Sequence, residues 1–355
     1  MALRRLRVTE FRCLQAVDIE LDERFTLVSG ANASGKTSLL EAIYLLGRGR
    51  SFRTRRLDHL IRRDAERFVV FGELQSGERR IPVGLEGSNA GLRAKIGGAA
   101  PGSLAELAVG FPVQIIDPEV HKLIEEGPSG RRRFLDWGVF HVEPNFMSVW
   151  QRYHQVLRQR NASLKLRHAR AVVSAWDGDL IRCGEELASA RARYVGALGV
   201  EARRLVERLL GRTLELHYRC GWSRQLSLAE ALAQSWTLDQ ERGSTQVGPQ
   251  RAELGIQVDG AAARDHVSRG QQKLLAAALL IAQINLFPAD APARPTLLLD
   301  DPAAELDQDR LSGLIAEVAG QANQLIVTTL HADFAAFGSP GTRFQIAGGV
   351  VERQA

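Results

Sequence analysis

The chain has 355 residues, of which 45% are hydrophobic and 25% charged, and carries a net charge of +5; these are ordinary values for a soluble globular protein of one large domain or two lobes. No apolar run approaches about 18 residues, so no membrane span is expected, and the segment 1–7 lacks the apolar core of a secretory signal. Cys13, Cys183 and Cys220 are odd in number and far apart, which fits neither a disulfide framework nor a zinc site and makes a reducing cytoplasm the expected setting.

In chain order, residues 6–11 and 17–21 alternate apolar and polar side chains and predict a hairpin. Residues 25–28 predict a short buried strand running into Gly30-Ala31-Asn32-Ala33-Ser34-Gly35-Lys36-Thr37. Helical spacing of apolar residues follows from Ser38 to Leu46, with Gly47 and Gly49 as stops. Strands are predicted over 68–75, 80–86 and 92–97. From about Pro112 the pattern turns helical, over 131–141, 146–172, 179–196 and 198–210, punctuated by Pro128, Pro144 and Gly178. Strands return at 212–219 and 252–258, followed by a helix from Arg269 to about Leu286. A strand at 297–300, a helix at 307–319, a strand at 325–329 and a hairpin near 343–352 complete an α/β pattern.

Gly30-x-x-x-x-Gly35-Lys36-Thr37 has full P-loop spacing. Glycines let backbone N–H groups wrap phosphates, and the helix that follows aims its positive end at them. Lys36 is the candidate for the β- and γ-phosphates of ATP, and Thr37 for Mg²⁺. Leu297-Leu298-Leu299-Asp300-Asp301 is an apolar strand ending in two carboxylates. Asp300 is the expected Mg²⁺-linked acid, and Asp301 the group that polarises the attacking water. Val267-Ser268-Arg269-Gly270-Gln271 opens a long helix, with Ser268 as N-cap and Gly270 permitting close backbone approach. Placed before the acidic strand, it reads as a loop that touches the γ-phosphate bound to a facing subunit. Neither half makes a complete site, so an ATP-dependent homodimer is expected. Residues 1–111 and 246–355 are therefore expected to form one ATPase lobe around a shared sheet, with an inserted, mainly helical lobe over 112–245.

Basic residues cluster at Arg48, Arg50, Arg53, Arg55, Arg56, Arg62 and Arg63, at Arg131, Arg132 and Arg133, and at Arg158, Arg160, Lys165, Arg167 and Arg170. They read either as contacts to a nucleic-acid backbone or as a compositional preference, since the chain has only five lysines.

Taken together, the motifs resemble the RecF family of bacterial recombination-mediator ATPases. The resemblance rests on the P-loop, on Arg48-Gly49-Arg50-Ser51-Phe52-Arg53-Thr54, on Arg131-Arg132-Arg133-Phe134-Leu135-Asp136-Trp137-Gly138 and on Leu157-Arg158-Gln159-Arg160-Asn161. Gly248-Pro249, Ser268-Arg269-Gly270-Gln271 and Asp300-Asp301 with Glu305-Leu306-Asp307 extend it along the chain. It implies an ABC-type head like those of SMC proteins, without a long coiled coil. It also implies a weak, DNA-stimulated ATPase that dimerises on ATP, clamps duplex DNA or single-strand/duplex junctions, and works with RecO and RecR to load RecA at gaps. Gln114 becomes a candidate sensor of Mg²⁺ and the γ-phosphate, with a plain surface strand residue as the other reading. His331 becomes a candidate switch histidine. The chain departs from the family at Phe52 and Gln250, where members commonly carry histidine, and at Pro302-Ala303-Ala304, which lacks a serine. The remaining alternatives are an SMC-like scaffold or end-processing ATPase and a transporter ATPase subunit.

Overall fold

The structure is a computed structural model that describes residues 1–291, 293–302, 308–318, 324–330 and 339–354. It divides into two compact units, residues 1–120 with 287–355, and residues 121–286.

The first unit opens with the hairpin of β1 (Ala2–Phe11) and β2 (Leu14–Glu20), then β3 (Phe25–Ser29), α1 (Lys36–Arg48), β4 (Arg67–Ser76), β5 (Arg79–Ser88), β6 (Gly91–Ile96), α2 (Ala105–Gly110) and β7 (Val113–Ile116). Strands β1, β2, β4, β5 and β6 form an antiparallel sheet in the order β2-β1-β4-β5-β6. Alternation along β1 and β4 turns Leu6, Val8, Phe68 and Val70 to one face, where all four are buried. That face packs on α1, and one apolar cluster joins it to Val28, Leu298, Ile326 and Phe344 of the parallel strands beyond. Helix α1 is thus covered on both sides, which is why it is buried all round rather than along one stripe. Each of Leu39, Leu40, Ile43 and Leu46, fully buried, contributes about 1.5–3 kcal/mol. The close approach at the helix end needs Gly47, where a Cβ would meet the Phe111 carbonyl at 2.4 Å.

The second unit holds α3 (Lys122–Glu125), α4 (Pro128–Val142), α5 (Phe146–Lys165), α6 (Arg170–Ser174), α7 (Asp177–Leu210), β8 (Leu214–Arg219), α8 (Leu228–Gln234), α9 (Trp236–Arg242), β9 (Glu253–Val258), β10 (Ala261–Ala262), α10 (Ala263–His266) and α11 (Arg269–Asn285). The helix expected over 146–172 breaks after Lys165, where Arg167 takes a left-handed φ of 53°. The two helices expected over 179–210 are a single helix of 34 residues, α7. Gly196 and Gly199 cost about 1 kcal/mol each inside it, and burial of Leu187, Tyr194, Leu198 and Leu205 along the face that meets α5 and α11 outweighs that. Helix α7 is the longest helix among the described residues, about 51 Å at 1.5 Å per residue, and no long coiled coil leaves the unit. Helices α8 and α9 were not expected, although the capping box Ser227/Glu230 marks the start of α8.

The chain then returns to the first unit with β11 (Thr296–Asp300), α12 (Gln308–Val318), β12 (Gln324–Thr329), β13 (Thr342–Ala347) and β14 (Val350–Gln354). These strands join β3 and β7 in a six-stranded sheet ordered β14-β13-β3-β12-β11-β7, parallel except for the β13/β14 hairpin. The boundaries expected at 111/112 and 245/246 thus differ from the observed ones at 120/121 and 286/287. Strand β7 is hydrogen-bonded into the first unit's sheet, and α11 packs along α7 and carries Ser268-Arg269-Gly270-Gln271 into the second unit.

Candidate nucleotide site

In an open parallel sheet, ligands collect beyond the carboxyl ends of the strands. Strands β3, β12 and β11 lie side by side, and Val28 is paired with Thr328, which is paired with Asp300. The loop Gly30–Thr37 leaves the end of β3, so it and Asp300 emerge on the same edge, separated by the width of β12.

The loop is shaped by close contacts. A Cβ on Gly30 would meet the Ile346 carbonyl at 2.4 Å, and Gly35 takes a φ of 115° with Ile346 Cδ1 and Cys13 Sγ within 3.2 Å of a Cβ position. Only glycine meets both demands. Ala33 accepts a left-handed φ of 61°, a strain of about 1 kcal/mol or more that such loops carry at ligand sites. The β13/β14 turn supports the loop from outside, with the Gly349 N–H donating to the Ser34 carbonyl at 2.9 Å. Helix α1 starts at Lys36, so the first-turn N–H groups have no intrahelical acceptor and present a positive end to the loop's concavity.

Lys36 is 6% exposed and folds back, its Nζ donating to the carbonyls of Gly30 at 2.6 Å and Ala31 at 3.0 Å. The Thr37 hydroxyl donates to Asp300 Oδ2 at 2.7 Å, and the Thr328 hydroxyl donates to Asp300 Oδ1 at 2.7 Å. Asp300 is thereby held with one oxygen on its strand neighbour and the other on the P-loop. Asp301 follows with a φ of 47°, and its N–H donates to the Thr328 hydroxyl and carbonyl. The Ser34 hydroxyl is buried with no hydrogen-bond partner among the described residues. An orphaned donor and an ammonium satisfied only by loop carbonyls fit an oxyanion ligand, and a hydroxyl–carboxylate pair fits a hard, oxygen-seeking divalent cation.

Of the residues named from sequence, Gly30 to Thr37, Asp300 and Asp301 come together on this edge. Gln114 does not. In β7 it is level with Leu297, and only Ile116 reaches Leu299, so Gln114 lies about 10 Å short of Asp300 along the strand direction. It is 5% exposed and so is not a surface residue either. The pairing ends at Ile116 and Leu299, one residue before Asp300. Thr328 and Gly349 were missed: a threonine inside an apolar strand and a glycine in a hairpin turn carry no motif. Glu305, Asp307 and His331 lie outside the described residues.

The signature segment is in the second unit. Ser268 caps α11 in a reciprocal box, its N–H donating to Gln271 Oε1 at 3.0 Å and its Oγ accepting from the Gln271 N–H at 3.4 Å. Arg269 donates to His121 Nε2 at 3.1 Å. A Cβ on Gly270 would meet nothing within 4 Å among the described residues, so no packing among them requires glycine there.

The family model described as the RecF/RecN/SMC N-terminal domain matches residues 2–339, and the DNA replication and repair protein RecF of Escherichia coli O6:K15:H31 is 37% identical over 335 residues, 94% of each chain. The chain belongs to the RecF family. A second RecF, from Escherichia fergusonii, has the same identity and coverage. A solved structure of the recombination mediator protein RecF with ATP, in the RecFOR pathway, matches with a TM-score of 0.90 at 29% identity, covering 100% of this chain and 98% of that one. An Smc head bound to the C-terminal winged-helix domain of ScpA shares the fold, with a TM-score of 0.60 at 17% identity over 100% of this chain and 98% of its own. The RecF architecture here is thus an ABC-type ATPase head of the SMC kind, with no long coiled coil among the described residues.

Proposed function

We propose that the protein is an ATP-gated DNA-binding ATPase of recombinational repair and DNA replication, acting as a homodimer. The observation that carries the reading is the division of the motifs. The P-loop with its Thr37–Asp300 pair stands complete in the first unit, while a capped loop with open space at Gly270 is displayed by the second. No packing among the described residues needs a glycine at this helix start, which supports close approach of a ligand from outside the chain. The likeness to a RecF bound to ATP supports ATP as that ligand, and the names of the relatives support repair and replication as the setting.

Lys36 would exchange the Gly30 and Ala31 carbonyls for the β- and γ-phosphates, and the Ser34 hydroxyl would find its acceptor there. Thr37 and Asp300 would hold Mg²⁺, which supplies neutralisation of charge on the transferred phosphoryl group. Thr328 fixes the Asp300 carboxylate, so that pair needs little reorganisation. Asp301 would polarise the attacking water. The segment 268–271 of the second subunit would close over the γ-phosphate, so that hydrolysis opens the dimer and releases DNA, and ATP shifts the population between closed and open states. Membership in the family supports, as further parts of this reading, slow turnover, preference for duplex or single-strand/duplex junctions, recruitment of RecR with RecO and RecA downstream, and a cytoplasmic setting. No described helix is long and apolar enough to cross a membrane.

The test is DNA retention with and without ATP on duplex, single-stranded and gapped substrates across a salt series. ATP-dependent retention of duplex-containing substrates that weakens with salt is expected. Retention indifferent to ATP would overturn the gating.

A further inference from the structure

Four guanidinium groups of the second unit converge on one short turn, residues 249–253. Arg191, 2% exposed, donates Nη1 to the Pro249 carbonyl at 2.8 Å. Arg132 donates Nη1 to the Ala252 carbonyl at 2.8 Å. Arg131 makes a two-pronged pair with Glu253 at 2.8 and 2.9 Å. Arg251 projects from the turn itself, with Nη2 on Gln246 Oε1 at 2.9 Å. Among the described residues two carboxylates pair with these cations, Asp136 with Arg191 and Glu253 with Arg131. Among the described residues Arg132 and Arg251 hydrogen-bond to neutral groups alone. Arg132 shows the strain of this arrangement: partial burial lowers its pKa first, and the charges of Arg191 and Arg251 lower it further against the opposing pull of Glu253 and Asp136.

The turn is rigidly built. Gly248 takes a φ of 122°, its N–H donates to the Gly221 carbonyl at 3.2 Å, and a Cβ on Gly221 would meet the Gly248 carbonyl at 2.1 Å. The Gln250 amide donates to the Val247 carbonyl at 2.8 Å, and the Tyr153 hydroxyl donates to Gln250 Oε1. All of this order ends on one exposed side chain, Arg251; Gly248, Pro249 and Ala252 are buried and Gln250 and Glu253 half-buried. Fixing a surface cation at such cost in conformational freedom makes sense when its charge must stand at a set place for a ligand.

The geometry points to a phosphate-binding point for the DNA backbone formed by Arg132 and Arg251, with Arg191 and Tyr153 as positioning residues. It deepens the proposed function and rests on its DNA-binding reading. The chemistry selects a phosphodiester. Two guanidiniums lacking a carboxylate present planar forks to an oxyanion, and the cations sit on a turn and a helix flank. Such a place suits a polyanion laid across it better than a small anion, and it reads charge and shape rather than base sequence.

The experiment measures duplex DNA affinity of the full-length protein with ATP across a salt series for Arg251→Gln, Arg251→Glu and the double variant Arg132→Gln/Arg251→Gln. Each lost phosphate contact should lower the slope of log K against log salt by about 0.9, so the double variant should lose about 1.8. Affinity should weaken by about tenfold or more near 0.1 M salt, evenly across sequences, with Arg251→Glu worse than Arg251→Gln. ATP binding should be unchanged. Should Arg132→Gln impair folding, the exposed Arg251 variants carry the test alone. Wild-type affinity and slope in the variants, with the unaltered protein binding DNA, would overturn this site and leave the proposed function standing. An unaltered protein that binds no DNA would overturn both. An effect on binding an acidic protein but not DNA would assign the turn to a protein partner and overturn the phosphodiester.

Discussion

Asp300 is useful only because two other residues hold it. Thr37 is 263 positions away in sequence and 2.7 Å away in space, and Thr328 holds the second oxygen. The P-loop and the acidic strand are each readable from residue order, because phosphate cradling and metal binding demand particular residue types at fixed spacing. Thr328 is not, since nothing in Leu325-Ile326-Val327-Thr328-Thr329 tells a buried carboxylate partner from an ordinary strand threonine. Asp300→Asn keeps the Thr328 bond but removes the charge the metal needs. Steady-state ATP hydrolysis should fall on the order of 100-fold or more, measured by phosphate release, with nucleotide still bound; a change within a few-fold would remove Asp300 from the metal site. The arginines teach the opposite lesson. Arg160 sits in a basic run that reads as phosphate-contacting, yet it is wholly buried, bonded to Asp177 at 2.8 Å, Asp239 at 2.7 Å and Thr245 at 2.8 Å. Arg160→Met would leave two carboxylates without their cation. It should cost about 3–5 kcal/mol, seen as a lower urea midpoint, while an exposed phosphate-contacting arginine would leave that midpoint unchanged.

At the level of elements, periodicity located the strands and long helices but not where neighbours bring them into register. Gln114 shows this, because its distance from the phosphate edge is set by the pairing of β7 with β11 rather than by anything local. The same holds for α1, whose fully buried Glu41 cannot be read from a helical repeat. Glu41 accepts two bonds from Arg12 at 2.9 and 2.8 Å, another from Ser51, and an ion pair from Arg53 at 3.5 Å. It therefore straps the arginine-rich segment after α1 onto the P-loop helix. Glu41→Gln should cost about 1–3 kcal/mol and free residues 50–56. Trypsin should then cleave there faster than in the unaltered protein; equal cleavage would show that the strap lies elsewhere. In the second unit, His154 packs against Trp150 with ring centroids 4.1 Å apart and the planes tilted by 54°, and burial, helped by Arg191 and Arg158 against Asp136, lowers its pKa. A depressed histidine binds fewer protons folded than unfolded, so its contribution is present above its unfolded pKa of about 6.5 and is lost as pH falls from there through the folded value. The urea midpoint should drop between pH 7.5 and 5.5, and His154→Gln should make that drop smaller; an identical drop would acquit His154.

For the whole molecule, the fold class was legible because a P-loop, an acidic strand and alternating β and α patterns allow few architectures. The boundary between the units was not, since sequence order does not say that α11 packs on α7. That packing separates the capped loop at Ser268 from the P-loop by unit as well as by sequence, and two damaged chains make this separation testable. Lys36→Ala removes the phosphate contact and leaves Ser268 intact. Ser268→Arg fills the space beside Gly270 and leaves Lys36 intact; the N-cap it sacrifices is worth about 1 kcal/mol, too little to unfold a unit of this size. Each variant alone should be inactive in ATP hydrolysis. Mixed in equal amounts, random pairing in a two-fold dimer makes half the dimers mixed, each with one undamaged composite site, so about a quarter of the unaltered activity should return. Because the active species is a dimer, that recovery should vanish on dilution, in parallel with the specific activity of the unaltered protein. Recovery that never appears, beside variants that still pair, would mean that each chain hydrolyses ATP within itself and that Gly270 leaves room for something other than a second subunit.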